Sequence, residues 1–158
     1  MTLNGIPLHP LIVHGAVVFV PLTLVFAALL FLRRIRRTMT YMAGAAGVLG
    51  FIFVAVAHNT GEQLQEALPS NRAIIQHAEL ATTIMPLTFA VGFLLTVLAI
   101  LELPAPVAVV KVRTRIQSYR VVLPLVRVVA LLLAVVSVVQ IVLLGDSGAA
   151  AVWFNVVR

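Results

Sequence analysis

The chain has 158 residues, 62% of them hydrophobic and 10% charged, against roughly 25% charged in an ordinary soluble domain. A soluble domain of about 150 residues buries only about 70% of its unfolded surface, too little to hide this much apolar side chain from water, so a soluble globular fold is excluded and lipid is the required solvent. The absence of cysteine excludes disulfide frameworks, iron–sulfur clusters, thiolate zinc sites and Cys nucleophiles, and leaves only His, Asp and Glu to hold a metal. The net charge of +6 suits nucleic acid only when displayed on a solvated face with readout side chains, and the positions of the charges argue against such a partner.

Four apolar runs approach the ~20 residues needed to cross a ~30 Å hydrocarbon layer: residues 11–32, 41–57, 80–101 and 121–144. The ten residues ahead of the first run carry no Lys or Arg, so the basic region of a cleavable signal peptide is missing and the first span is expected to stay in the protein. Arg33, Arg34, Arg36 and Arg37 follow span one, and Lys111, Arg113, Arg115 and Arg120 precede span four. The positive-inside rule puts both basic loops in the cytoplasm, giving an N-out, C-out multi-pass membrane protein. Topology and attraction to anionic lipid account for the basic charge, and Arg127, early in span four, can snorkel back to the headgroups. Pro21 and Pro86 inside spans one and three are tolerated in membrane helices. Span two carries Ala43, Gly44, Ala46, Gly47 and Gly50, a small face that permits close helix packing or, alternatively, leaves room for a flat cofactor. Residues 149–158, with Trp153 and Phe154, read as an interfacial tail.

The spans contain a weak repeat. His14 is followed by Pro21, Leu22 and Thr23, and His77 by Pro86, Leu87 and Thr88; Asn59, Thr60 and Gly61 after span two match Asp146, Ser147 and Gly148 after span four. The pattern predicts an all-α membrane four-helix bundle, with two helical hairpins related by a parallel repeat about the membrane normal. The Asx, hydroxyl, Gly triplets read locally as helix C-caps.

All four histidines fall at the outer end: His9 before span one, His14 a turn into it, His58 at the end of span two and His77 before span three, with Glu62, Glu66, Glu79 and Asp146 beside them. Ionisable groups at a membrane boundary are functional candidates. In a square bundle, helices one and three lie on a diagonal about 14 Å across, so His14 and His77 can face one centre as the axial ligands of a b-type haem. Gly15 and the small face of span two are the expected space for the macrocycle, and Arg72 the cation for its propionates. The rival is a divalent ion on His14, His77, His9 or His58 with Glu62 or Asp146, although no HExxH or His-x-His motif is present. Met1, Met39, Met42 and Met85 form no thioether cluster at that end, and no phosphate loop, nucleophile elbow or hydrolase carboxylate pair occurs, so an enzyme of those classes is not expected. A third alternative is a non-catalytic accessory subunit of a larger membrane complex.

The segment Pro7, Leu8, His9, Pro10, Leu11, Ile12, Val13, His14, the His77 that opens helix three, and the closing run from Gly145 through Asp146, Ser147, Gly148 to Trp153 resemble a family of small bacterial membrane proteins, domain of unknown function 2231, over nearly the whole chain. The resemblance implies the four-helix fold. Through relatives linked to Rieske-type iron–sulfur domains it also implies a membrane redox setting near a respiratory complex, in keeping with haem and electron transfer. The family commonly has His after the Gly of the closing run; here the position is Asp146, which disfavours a ligand from helix four and leaves His14 and His77. Reporter fusions are expected to place Arg36 and Arg115 in the cytoplasm, and either one found outside overturns the shared outer face of the histidines.

Overall fold

A computed structural model describes residues 2–3, 6–69, 71–102 and 121–153. Four helices carry the fold: α1 (Leu8–Leu29), α2 (Arg36–Ala67), α3 (Arg72–Glu102) and α4 (Val122–Trp153). Ahead of α1, Thr2–Leu3 and Ile6–Pro7 pair as two-residue antiparallel strands, Thr2 opposite Pro7 and Leu3 opposite Ile6. All four helices are long and apolar enough to span a membrane, as the composition requires. Helix α2 packs against both α1 and α3, α3 packs against α4, and the α1–α4 seam is the thinnest of the four. The helices therefore run around a square in chain order, with α1 and α3 on one diagonal.

One spacing organises the interior. A regular series of buried positions runs through Ala16, Val20, Thr23, Ala27 and Leu30 along α1 and just beyond it, Ala43, Gly47, Gly50, Val54 and Ala57 in α2, and Ile84, Thr88, Val91, Leu95 and Leu98 in α3, with Thr40, Gly44, Ala46 and Gly92 buried beside it. In α4 they are Ala130, Ala134, Ser137 and Ile141, followed by the half-buried Leu144. Each series advances by alternating steps of four and three, the seam of a left-handed bundle with knobs-into-holes packing. One constant offset in numbering carries the α1 series onto the α3 series, and a second carries α2 onto α4, so the two hairpins repeat in their interiors. Large apolar side chains face outward instead, with Leu11, Val18, Phe93, Leu132 and Val142 all more than half exposed, the distribution expected where lipid is the solvent.

Small residues set how closely α2 approaches its neighbours. A Cβ on Gly47 would lie 3.0 Å from Gly92 Cα, and one on Gly92 would lie 2.9 Å from Gly47 O, so the two backbones touch. Gly44 meets Leu95 and Ala99 of α3, while Gly50 meets Phe19 and Val20 of α1. The small face of α2 is thus consumed by helix packing rather than left open for a flat cofactor. The space remaining at the middle of the bundle, lined by Val20, Thr23, Gly47, Gly50, Thr88 and Ser137 among others, is about 10 Å³, at most room for one water. The interior hydroxyls need no outside partner: Thr23, Thr40, Thr88 and Ser137 each donate to the carbonyl four residues back, at 2.7 to 3.0 Å. Such internal bonding keeps a hydroxyl satisfied in an apolar core.

One expectation about helix ends is corrected. Helix α2 runs through Asn59, Thr60 and Gly61 to Ala67, and α4 through Asp146, Ser147 and Gly148 to Trp153, so neither triplet is a C-cap. Residues 149–153 of the expected tail continue α4, and residues 154–158 lie outside the described residues, as do the basic residues Lys111, Arg113, Arg115 and Arg120. At the start of α3, Asn71 Oδ1 accepts the Ile74 N–H at 2.9 Å, an N-cap for that helix.

Gly92→Ala forces backbone apart at the α2–α3 contact and is expected to cost ~1–3 kcal/mol, read as a lower thermal unfolding temperature in detergent. Gly145→Ala, where a Cβ meets nothing within 4 Å, is expected to leave that temperature unchanged or slightly raised. Equal behaviour of the two variants would contradict the packing described.

Candidate functional site

Continuing the interior spacing beyond the buried apolar series, by two steps at the start of α1 and α3 and by one step towards the ends of α2 and α4, reaches a different kind of residue. Seven positions before Ala16 and Ile84 stand His9 and His77, and four positions after Ala57 and Leu144 stand Gly61 and Gly148. The same offset that superposes the α1 and α3 cores superposes His9 on His77, and the offset that relates α2 to α4 superposes Thr60 and Gly61 on Ser147 and Gly148. Each histidine lies over the glycine of its own hairpin: a Cβ on Gly61 would stand 3.0 Å from His9 Cε1, and one on Gly148 would stand 3.1 Å from His77 Cε1. The glycines that resemble helix stops in sequence are seats for imidazole rings.

The two rings meet across the diagonal with centroids 6.3 Å apart and planes at 85°. Both are half-buried, and each is held through Nδ1 by the returning helix of its hairpin. His9 Nδ1 lies 2.8 Å from Ala57 O, with Thr60 Oγ1 at 3.5 Å. A carbonyl oxygen can only accept, so Nδ1 of His9 bears the proton. His77 Nδ1 lies 2.9 Å from Ser147 Oγ, whose single proton is donated to Leu144 O at 3.0 Å. That hydroxyl therefore accepts from Nδ1–H of His77. In both neutral rings the lone pair is left on Nε2, the arrangement by which an outer hydrogen bond fixes the tautomer and orientation of a metal-binding imidazole.

The other predicted residues lie elsewhere. His14 is exposed, off the interior spacing of α1, with its Nδ1 against Pro10 O of its own helix; the residue that stands beside His77 is His9. The proline-based match of His14 to His77 is out of register with the core, because Pro21 and Pro86 do not belong to the buried series. Gly15 gives no space for a macrocycle, since the Phe53 ring occupies the position a Cβ would take and stacks on Phe19 at 5.5 Å. His58 pairs along α2 with the exposed Glu62 at 3.5 Å. Asp146 and Glu79 are exposed, and Arg72 is exposed at the start of α3. Among the described residues no group of three or more His, Asp or Glu gathers to hold an ion, so the ligand set imagined for a divalent metal is not assembled. Sequence reasoning missed Thr60 and Ser147 as partners of the rings, although the Thr-Gly and Ser-Gly match was their signal.

A four-helix membrane bundle in which each hairpin contributes one anchored imidazole to a shared centre is the class that this geometry defines. The family of predicted membrane proteins that is domain of unknown function 2231 matches residues 5–158, and the chain belongs to it. No curated protein and no solved structure shows a significant match.

In protein labelled with ¹⁵N-histidine, the neutral rings of His9 and His77 are expected to show the Nδ1–H tautomer. Gly148→Ala is expected to shift the His77 resonances while sparing His58; unmoved His77 signals would refute the seating contact.

Proposed function

We propose that His9 and His77 are the axial ligands of a b-type haem and that the protein carries electrons in a bacterial cytoplasmic membrane. The observation that carries this reading is the pair of diagonal imidazoles, each tied at Nδ1 with Nε2 left for iron. Donor chemistry supports haem over a bare ion. A zinc-type site takes three or four protein ligands, whereas haem brings four nitrogens of its own and leaves two axial places, and two histidines are what this end of the bundle offers. His9 and His77, with ring centroids 6.3 Å apart, would be the residues to hold the haem iron. When bound, the haem supplies one-electron exchange. The chain's own contribution is to orient the rings through Ala57, Thr60 and Ser147, and Arg72 is the cation this reading assigns to the propionates. Placed by the basic loops, the pair lies on the outer side, which sets the face on which redox partners of a respiratory membrane are met.

The test is an absorption spectrum, oxidised and then dithionite-reduced, of protein purified from haem-sufficient cells. A reducible Soret band at near-stoichiometric haem is expected, abolished in His9→Ala and in His77→Ala and retained in His14→Ala. A colourless wild-type protein, or a band lost with His14 and kept without His9, overturns the assignment. Ser147→Ala is expected to retain the band with a changed midpoint potential, because the Nδ1 bond tunes ligand basicity.

A further inference from the structure

The opposite end of the bundle holds a second feature that the histidine site does not use. A cavity of about 470 Å³ opens there, lined by Leu30, Phe31, Arg33, Arg36, Pro124 and Arg127, a size within the roughly 300–1,000 Å³ of small-ligand sites. Three guanidiniums come to it from three different segments: Arg33 from the α1–α2 turn, Arg36 from the first residue of α2, and Arg127 from the second turn of α4. Among the described residues no acidic side chain lines its wall, and Glu102 ends α3 at this same end of the bundle.

Arg127 is not placed as a lipid-facing arginine. It stands three residues before Ala130 in the interior spacing of α4, the register that Thr40 occupies before Ala43 in the other hairpin, and Thr40 is buried with its hydroxyl satisfied by Arg36 O at 2.8 Å. A half-buried charge in an interior register is costly within a membrane and marks a site that meets a counter-charge. Arg36 is pinned as well: its Nε donates to Leu30 O at 2.8 Å, which anchors the guanidinium at the cavity edge and leaves its terminal nitrogens as donors. Guanidinium groups match phosphate oxygens with paired donors. The exposed apolar side chains of Phe31 and Pro124 add a surface on which a glycerol backbone can lie.

We infer that this cavity binds a phosphate group through Arg36, Arg127 and Arg33, carried by an anionic phospholipid headgroup or free in solution. The inference is independent of the haem reading. It differs from general attraction of basic loops to a membrane, which depends on total charge, in requiring particular arginines.

The experiment is native mass spectrometry of the full chain released from detergent after addition of phosphatidylglycerol or phosphatidylcholine, with thermal unfolding in inorganic phosphate alongside. One phosphatidylglycerol is expected to be retained in preference to phosphatidylcholine. Retention is expected to fall roughly fivefold or more in Arg36→Gln and in Arg127→Gln, to fall less in Arg127→Lys, and to be unchanged in Arg34→Gln, an exposed arginine outside the cavity wall. Stabilisation by inorganic phosphate that Arg127→Gln abolishes assigns the site to the free anion; retention of the lipid without that stabilisation assigns it to the headgroup. Equal losses in Arg34→Gln and Arg127→Gln, or no preference between the two lipids together with no effect of phosphate, overturn the proposal. Circular dichroism of each variant establishes that the helices are intact, and the Lys variant decides the matter if a Gln variant does not fold.

Discussion

Gly47 and Gly92 meet backbone to backbone, and the remainder of the architecture follows from that approach. Helices in lipid gain nothing from hiding apolar side chains from one another, so their association rests on van der Waals contact and shape. Glycine and alanine along α2 admit α1 on one side and α3 on the other, and that double contact brings the first helices of the two hairpins to a diagonal of the square. Larger residues at these positions would widen the bundle. His9 and His77, on the diagonal helices, meet at 6.3 Å because the core beneath them is this narrow.

The two hairpins repeat in their histidine contacts as well as in shape. In each, a histidine enters on the first helix and is received by a hydroxyl and a glycine on the second, and in each the receiving helix holds Nδ1. The hydroxyl contact is closer in the second hairpin, 2.9 Å for Ser147 against 3.5 Å for Thr60, while the first uses a backbone carbonyl directly. The two imidazoles are therefore anchored to unlike acceptors, and two rings related by a repeat need not be equal in basicity.

The ends of the bundle are chemically distinct and the middle is closed. The histidines and every described carboxylate but Glu102 occupy one end, while the described arginines, apart from Arg72, occupy the other. Between them the interior hydroxyls are bonded within their own helices, and the residual space is about 10 Å³. Among the described residues the histidine end and the arginine end are thus separated by a closely packed, internally bonded interior.

The sequence by itself determined the membrane class, the four helices and the two-hairpin repeat, because composition and run length decide which solvent a segment can face. It also gathered the histidines at one end, and the matching Thr-Gly and Ser-Gly pairs were already legible there. Tertiary structure alone decided which histidines pair. His9 and His14 are neighbours in sequence, and a linear comparison keyed on Pro21 and Pro86 selects His14; only the buried series shows that His9 continues the interior spacing of α1 and that His14 leaves it. Likewise Gly61 and Gly148 read as helix stops until the chain is seen to continue past them, because a missing side chain serves equally to end a helix or to seat a ring against one. The face of a helix is a property of its packing partners, and a one-dimensional pattern this rich in apolar residues on every side does not declare it.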